Sequence, residues 1–291
     1  MSNDTLAWTL AQLANRRRVV VASVIQTSGS VPGKVGAKLA VADGVEGFHG
    51  TVGGAGLEMK VLMRCKEILN EHWEPYGEMH TFGLNKGAKG YEVQPLDSLC
   101  GGRVTLSIEA IMPSPHVLMM GGGHCAFALA STINTLGWNH SVTDSRLEFC
   151  NADLFPSAQE LIHSNVDDFL EEESFKSLNR FSDILLLGHD WSEDEQRLLG
   201  LLKICGEQNS LPDGRSFPRI GVIGSRSKWN AFCKSALGRN IAQELLDRVI
   251  CPIGINIGAE SPEEIAIAVT AQILSLAKGV SPETKNWRQS S

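Results

Sequence analysis

The sequence predicts an α/β protein with a doubly wound parallel sheet in its C-terminal half and a smaller α/β domain before it. Predicted strands and helices alternate from His116 to about Lys278, as they do in parallel sheets covered by helices. A glycine-rich turn joins the first of these strands to a helix. Two prolines in Pro113-Ser114-Pro115 stop the preceding strand and stiffen the join. We therefore expect an N-terminal domain over 1–112, a linker over 113–115, a sheet domain over 116–280 and a polar tail over 281–291.

The glycine-rich turn reads G-x-G-x-x-A, which is the dinucleotide-binding fingerprint of Rossmann-type domains. Gly121 would allow the sharp turn, Gly123 would let a phosphate approach the backbone, and Ala126 would let helix and strand pack closely. The helix that starts near His124 would point its free N–H groups at an anion. Asp144 ends the next predicted strand, about 20 residues on, where an acidic residue accepts ribose hydroxyls. NAD(P) is therefore one expected ligand.

The N-terminal half contains a second combination of strand, glycine-rich turn and helix. We expect a helix near residues 4–16, a buried strand over Arg18–Gln26, a loop over Thr27–Lys38 that could cradle an anion, and a hairpin of Leu39–Ala42 with Val45–His49. The turn at Gly53 and Gly54 then opens into a helix with Glu58 in its first turn, which makes this helix start another expected anion site. A short strand over Met79–Phe82, a turn over Leu99–Gly102 and a half-buried strand over Arg103–Ala110 complete this half.

The carboxyl ends of the predicted parallel strands gather several polar residues. The strands expected after the fingerprint cover Glu160–His163, Ser182–Leu187 and Arg219–Gly224. We expect a surface helix over Asp167–Ser177 and another helix that starts with a capping box at Ser192–Glu195. The last helix is expected to be capped by Ser261 and to bury one face, formed by Ile265, Ala268, Val269, Ile273 and Leu276. Ligands of such sheets bind beyond the carboxyl ends of the strands. That rule brings His189, Ser225, Arg226 and Lys228 to the edge that holds Asp144 and the fingerprint.

The composition of the chain disfavours several classes of protein. A net charge of −7 disfavours a general nucleic-acid or anionic-membrane binder. No apolar run is long enough to span a bilayer, and the first residues lack the pattern of a secretory signal. The seven cysteines form no C-x-x-C motif and suggest neither a disulfide framework nor a zinc ribbon, and the histidines lack metal-site spacing. We expect a cytoplasmic protein with reduced thiols and no resident metal site.

Motifs along nearly the whole chain resemble those of the xanthine dehydrogenase accessory proteins, the XdhC/CoxI family. They occur in the same order as in that family and are Gly29–Pro32, Gly36–Lys38, Thr51–Gly54, Cys100–Gly102, Ile108-Glu109, Gly121–His124, Asp144–Arg146, His189, Ile223–Arg226, Pro252–Gly254, Ile257–Ala259 and Pro262–Ala266.

The resemblance implies a protein that binds the molybdenum cofactor (molybdopterin) and assists its sulfuration and insertion into a xanthine dehydrogenase-type molybdenum hydroxylase. Such a protein is a cofactor chaperone rather than an enzyme. Molybdopterin carries a phosphate, which glycine-rich helix starts suit. Cys100 is the candidate thiol for the terminal sulfur, because the turn with Gly101 and Gly102 can expose it and lower its pKa. The implied partner is the hydroxylase; a cysteine desulfurase and a second copy of the chain are further candidates.

The chain departs from the family pattern at four places. Gly56 stands where the family often has a cysteine, and Cys125 where it more often has valine. Trp191 replaces a frequent second histidine, and Asn256 replaces a common aspartate. These changes indicate a divergent member.

Two other functions stay open on the sequence alone. One is an NAD(P)-binding oxidoreductase, although no Tyr-x-x-x-Lys motif supplies the acid–base pair of one large class. The other is a nucleotide-binding regulatory module without catalysis.

Overall fold

The computed structural model describes residues 2–72, 74–85, 93–96, 101–188, 190–207, 210 and 216–281. The chain divides into two compact units, Met1–Pro113 and Ser114–Ser291. Each unit is built around a single sheet with its own core.

The described residues of the N-terminal unit form a mixed sheet of six strands and two helices. Its elements in chain order are α1 (Ser2–Ala14), β1 (Val19–Ser28), β2 (Lys38–Ala42), β3 (His49–Gly50), α2 (Ala55–Glu71), β4 (Tyr76–Gly83), β5 (Val93–Pro95) and β6 (Arg103–Ile111). The strand order is β3-β2-β1-β6-β4-β5, and all neighbours are antiparallel except β4 and β5.

The hydrophobic pattern explains which side of this sheet is covered. β6 alternates between buried and less buried residues, as a strand with one covered face does. The buried side chains of α2, including Leu57, Val61 and Ile68, join those of β1 and β6 in one core. The smaller helix α1 packs on the opposite face, where Trp8 and Leu13 contact Val19 and Val21.

The hairpin predicted after Leu39 is shorter than expected. The sequence predicts Val45–His49 as its second strand, but only His49 and Gly50 pair with β2. Gly44 and Gly47 both have left-handed backbone angles, with φ of 65° and 88°, and they turn the chain twice before it can pair. The predicted Asp-Gly turn is therefore part of a longer loop.

The C-terminal unit has the predicted Rossmann fold. Its elements are β7 (His116–Met120), α3 (His124–Thr135), β8 (Asn139–Asp144), a 3₁₀ turn (Leu147–Phe149), β9 (Leu161–His163), α4 (Val166–Glu172), α5 (Phe175–Leu178), β10 (Asp183–Leu186), α6 (Trp191–Gly206), β11 (Arg219–Val222), α7 (Arg226–Gly238), α8 (Gln243–Leu246) and α9 (Pro262–Lys278). The five strands are all parallel in the order β11-β10-β7-β8-β9. The chain reverses its direction of winding between β7 and β10, which is where such sheets bind ligands.

Two local predictions in this unit are wrong. The stretch predicted as one surface helix, Asp167–Ser177, forms α4 and α5, because Ser174 and Ser177 make a capping box that starts a new helix. The helix predicted to start at Ser192 is capped instead by Asp190, whose carboxylate accepts the N–H groups of Ser192 and Glu193.

The last helix follows its sequence signals at the N-terminus. Ser261 and Glu264 form the capping box and Pro262 is the first helical residue. Ala268, Val269 and Ile273 are buried as expected. Leu276, predicted on the same face, is 39% exposed and lies in the last turn of the helix, beyond Ile273, the last buried residue of the helix.

A buried histidine makes the stability of the C-terminal unit sensitive to acid. His140 on β8 is fully buried, and neither ring nitrogen has a hydrogen-bond partner among the described residues. Burial lowers the pKa of the His140 imidazole, and burial also lowers the pKa of His116 to about 4. A histidine whose pKa falls on folding stays neutral in the folded state while the unfolded chain takes up a proton. Stability is therefore lost as pH falls below about 6.5.

We expect His140→Leu to remove part of this loss. Leucine fills a similar volume with no polar atom to desolvate, so the variant should gain stability over wild type by about 1.4 kcal/mol per pH unit below 6.5. Urea unfolding at pH 7 and pH 5 measures the difference. An identical loss between the two pH values in both proteins would show that His140 is not responsible.

Candidate functional site

One end of the N-terminal sheet gathers the predicted glycine-rich segments. Ser28 at the end of β1 pairs with Arg103 at the start of β6, which in turn pairs with Gly83 at the end of β4. The start of β2 and the end of β3 lie at the same end, because Leu39 pairs with Gly50. The segments that adjoin these strand ends hold Gly53, Gly54, Glu58, Gly101 and Gly102.

The first glycine segment is built for a close approach of two loops. A Cβ atom on Gly53 would lie 2.5 Å from the backbone nitrogen of Gly33, and one on Gly33 would lie 2.2 Å from the carbonyl oxygen of Val52. Gly53 also has a φ of 89°, and Gly54, the N-cap of α2, has a φ of 83°. The packing of the two loops therefore explains why residue 53 is glycine, without any contact to a ligand.

Glu58, in the first turn of α2, is engaged by the segment that precedes the helix. Its carboxylate accepts a hydrogen bond from the Thr51 hydroxyl and lies 3.4 Å from the backbone nitrogen of Gly53. A carboxylate therefore already lies at the positive end of α2, which lacks a side-chain N-cap. A second anion at this helix start would have to compete with Glu58.

Gly102 is fixed by the loop that follows β1. A Cβ atom there would lie 2.4 Å from Val31 Cγ1 and 2.5 Å from the carbonyl oxygen of Ser28. The space around a Cβ at Gly101 is open. Cys100, the candidate thiol, lies outside the described residues.

A cavity of about 440 Å³ lies beside α2 at this end of the sheet. It includes Gly53 and Gly54, and most of its wall is apolar. Met59 and Met63, one helical turn apart, line it although they are 61% and 52% exposed. Gly56, the position of the missing family cysteine, also lines it, and a Cβ there would meet no atom within 4 Å. A larger cavity of about 860 Å³ lies between α4, α6 and α8, and none of the residues predicted to bind a cofactor lines it.

In the C-terminal unit the fingerprint glycines have separate tasks. Gly121 turns the chain with a φ of 111°, and a Cβ there would lie 2.8 Å from the backbone nitrogen of Gly188. Gly123 is the N-cap of α3, with open space around it, so a ligand could approach its backbone. His124 is the exposed first residue of α3, and Ala126 is fully buried.

The middle glycine, which the fingerprint leaves unspecified, is the most restricted of the three. A Cβ atom on Gly122 would lie 1.9 Å from the carbonyl oxygen of Phe149. Its backbone N–H donates to Asp144 Oδ2 over 2.8 Å. No sequence signal marks this role, because the contact with Phe149 is a tertiary one.

Asp144 ends β8 as predicted, but its carboxylate already has four donors. Oδ1 accepts from the backbone nitrogen and Nε of Arg146, each at 2.9 Å, and Oδ2 accepts from Gly122 at 2.8 Å and from Arg146 Nη2 at 2.9 Å. Burial opposes ionisation of Asp144, but the hydrogen bonds from Arg146 and Gly122 hold its pKa below the ordinary value. A ribose hydroxyl would have to displace one of these donors.

The basic segment after β11 begins a helix. Ser225 is the N-cap of α7, with its hydroxyl accepting the backbone N–H of Lys228 over 3.3 Å, and Arg226 is exposed on the first turn. The Lys228 ammonium donates to Asp194 Oδ2 over 2.7 Å. Asp194 is fully buried, and 3.4 Å separates its other oxygen from Arg197 Nη1. Lys228 is thus held by a buried carboxylate.

His189, also predicted at this edge, lies outside the described residues. Elsewhere, in the parts of the chain that the structure describes, no group of three or more His, Cys, Asp or Glu side chains is arranged to hold a metal ion.

Six of the seven cysteines lie among the described residues, and none of the six is an activated thiol. Burial raises the pKa of each of them, most for Cys65, whose pKa rises to about 12. Such thiols are poor nucleophiles at neutral pH.

Among the helices that the structure describes, not one combines the length and the apolar character needed to cross a bilayer.

Comparison with known families gives matches in both units. Residues 117–273, more than half of the chain, match the model described as the XdhC Rossmann domain, and residues 12–83 match the model of the XdhC and CoxI family. The two matches follow one another in the order of the two units.

Two curated relatives are similar to this chain. The uncharacterized protein YqeB of Escherichia coli (strain K12) is 29% identical over 263 residues, which is 88% of this chain and 43% of that protein. A protein of Bacillus subtilis (strain 168) named as a probable xanthine dehydrogenase subunit is 28% identical over 173 residues, which is 60% of this chain and 46% of that protein. The matched region therefore spans less than half the length of either relative.

A solved structure described as a xanthine dehydrogenase from Bacillus halodurans aligns over 99% of both chains, with 19% identity and a TM-score of 0.47.

Proposed function

The chain belongs to the XdhC and CoxI family, and from that membership we propose that it acts in the maturation of a xanthine dehydrogenase-type enzyme. The observation that carries this proposal is the family match in both units, supported by the Bacillus subtilis relative whose name refers to xanthine dehydrogenase. Its finer form is a chaperone that binds the molybdenum cofactor in the cytoplasm and assists its sulfuration and insertion into a molybdenum hydroxylase. A cysteine desulfurase as sulfur donor and a homodimer belong to the same proposal.

The residues at the end of the N-terminal sheet fit a pterin. The 440 Å³ cavity is of the size that small ligands occupy. Its two exposed methionines offer polarisable sulfur to a flat heterocycle, and methionine sulfur contacts aromatic rings favourably. When bound, the cofactor would contribute its dithiolene-held molybdenum, while this wall would supply ring contacts.

Within this proposal, sulfur handling is assigned to Cys100. The other six thiols have raised pKa values and so fit a structural role. We expect Cys100→Ala to lower the amount of cofactor retained on purification, with a wild-type melting temperature. Cys125→Ala, a thiol with a raised pKa, is the matched control and should retain the wild-type amount. Equal retention in both variants would contradict the role of Cys100.

The NAD(P)-dependent oxidoreductase is the weaker alternative. The fingerprint supports nucleotide binding. The Asp144 carboxylate, however, already accepts hydrogen bonds from Gly122 and Arg146, so the usual acceptor for the ribose hydroxyls is occupied. The open backbone at Gly123 keeps a nucleotide-binding regulatory module as the other alternative.

Co-expression with a molybdenum hydroxylase tests the proposed role in maturation. The chain, tagged at one end, should co-purify with the hydroxylase and raise the fraction of hydroxylase that carries sulfurated cofactor. Reduction of a nicotinamide cofactor with an added substrate would favour the oxidoreductase. Nucleotide binding with no effect on the hydroxylase would favour the regulatory module.

A further inference from the structure

A second cavity at the same end of the N-terminal sheet has a different chemical character. It measures about 380 Å³, and its polar lining includes Lys34, Lys38 and His49. The loop Thr27–Lys38, which the sequence marks as a candidate anion cradle, supplies both lysines. Neither the family motifs nor the predicted site residues include Lys34 or His49.

The two cavities are neighbours that share a wall. Pro32 and Gly53 line both of them. The close approach of Gly33 to Gly53 brings the loop of the lysines against the start of α2. The second cavity therefore has two lysines in its lining, whereas the wall of the first is mostly apolar apart from Lys60.

The second cavity has two lysines whose charge the described residues leave unbalanced. Lys38 Nζ donates to the hydroxyl of Ser23, its cross-strand neighbour, over 2.9 Å. Neither Lys34 nor Lys38 forms an ion pair with a carboxylate among the described residues. One carboxylate, Asp4, lines the same cavity, and it interacts electrostatically with His49. Two ammonium groups are left to attract an anion.

Several basic side chains of the C-terminal unit are instead paired with carboxylates. Lys228 is paired with Asp194, Arg146 with Asp144, and Arg219 with Asp183. Cations whose charge is already balanced attract an added phosphate less than free ones do. The second cavity combines two lysines that have no such partner among the described residues, and this combination suits an anion.

We propose that the two cavities form one bipartite site for a phosphorylated heterocycle, with the phosphate at Lys34 and Lys38 and the ring against Met59 and Met63. The ligand class rests on the proposed function, in which the heterocycle is the pterin. Lysine binds phosphate as a point charge, and the exposed methionines supply a polarisable surface for a ring. In this arrangement the phosphate does not bind at the start of α2, where the Glu58 carboxylate already lies.

The test compares two forms of one probe with the full chain. The probe is the fluorescent oxidised pterin obtained from molybdopterin, used with its phosphate and after phosphatase treatment. Fluorescence anisotropy should show the phosphorylated form binding at least about tenfold more tightly, because hydrogen bonds between a lysine ammonium and a phosphate are charge-assisted. Added salt should weaken the phosphorylated form more than the other.

Variants of the lysines and of the methionines test the phosphate half and the ring half of the site separately. Lys34→Gln with Lys38→Gln should bring the phosphorylated form down to the affinity of the dephosphorylated one. Lys38→Arg, which keeps the charge, should retain the preference, and so should Lys66→Gln on the exposed side of α2. Met59→Ala with Met63→Ala should weaken both forms by a similar factor. Circular dichroism melting confirms that each variant is folded.

Four outcomes would contradict the site. The wild-type chain could bind both forms with equal affinity, or its preference could survive the double lysine change. Either result would show that Lys34 and Lys38 do not bind the phosphate, while pterin binding itself would stand. Binding of inorganic phosphate that depends on the lysines, with no preference between the pterins, would assign the cavity to free phosphate. Failure of both forms to bind would overturn this site together with the proposed cofactor binding.

Discussion

The Gly122→Ala variant is expected to lose about 3 kcal/mol of its free energy of unfolding or to fail to fold. Its Cβ atom would lie 1.9 Å from the carbonyl oxygen of Phe149 and 2.9 Å from the carbonyl carbon, and backbone atoms cannot rotate away. The movement needed would also break the 2.8 Å hydrogen bond from Gly122 to Asp144. Overpacking of a well-packed site costs about 1–3 kcal/mol, and the lost hydrogen bond at a buried carboxylate adds to it.

Gly123→Ala is the matched control, one position along. Nothing lies within 4 Å of a Cβ there, and the φ of −72° suits any residue. Only the weaker N-cap preference of alanine opposes the change, so we expect a loss of at most about 1 kcal/mol. Urea unfolding of both variants measures the difference, and equal losses would show that the contact with Phe149 does not restrict Gly122.

Asp194→Ala should cost about 3–5 kcal/mol, because it leaves a buried lysine without its counter-charge. Lys228 is 15% exposed and Asp194 is fully buried, and 2.7 Å separates the ammonium nitrogen from the carboxylate oxygen. Arg197, 3% exposed, keeps its other partner Glu193 at 2.9 Å. The larger part of the loss should therefore arise from Lys228.

A double-mutant cycle isolates that part. If the pair is coupled, Asp194→Ala combined with Lys228→Met should be more stable than the sum of the single losses predicts, by about 2 kcal/mol. Glu67→Ala, which removes one exposed partner of Arg64, is the comparison and should cost less than about 1 kcal/mol. Strict additivity of Asp194→Ala and Lys228→Met would contradict the buried pairing.

Features encoded by neighbours in the chain could be predicted from the sequence. The Rossmann fold follows from alternating strands and helices and from the glycine turn, whose Gly121 has the left-handed angle that the turn requires. The start of α9 follows from Ser261, Pro262 and Glu264, which satisfy one another within a single helical turn.

Features that depend on residues distant in the chain could not be predicted. Ser225 to Lys228 reads as a basic turn, but Lys228 is held by Asp194, 34 positions earlier, and α7 starts there. Asp144 reads as a ribose acceptor, but Gly122 and Arg146 occupy its lone pairs. In each case a polar side chain that looks available in the sequence is paired through the fold.

The same limit applies to the N-terminal site. The sequence suggests that Gly53 and Gly102 approach a ligand, but each of them is packed against another loop. The lysines of the second cavity lie in a loop that the sequence marks as a possible anion cradle, but only the folded sheet places Lys38 beside Ser23 and both lysines in one cavity with His49. The anion site that we propose therefore rests on charge balance in the folded chain and not on glycine content.

The identity of the ligand that the purified chain carries tests the central claim most directly. The chain, produced in cells that make the molybdenum cofactor, is denatured, and the released small molecules are identified by fluorescence and mass. We expect a phosphorylated pterin in a substantial fraction of the molecules. Release of a nicotinamide dinucleotide with no pterin would contradict the proposed cofactor binding.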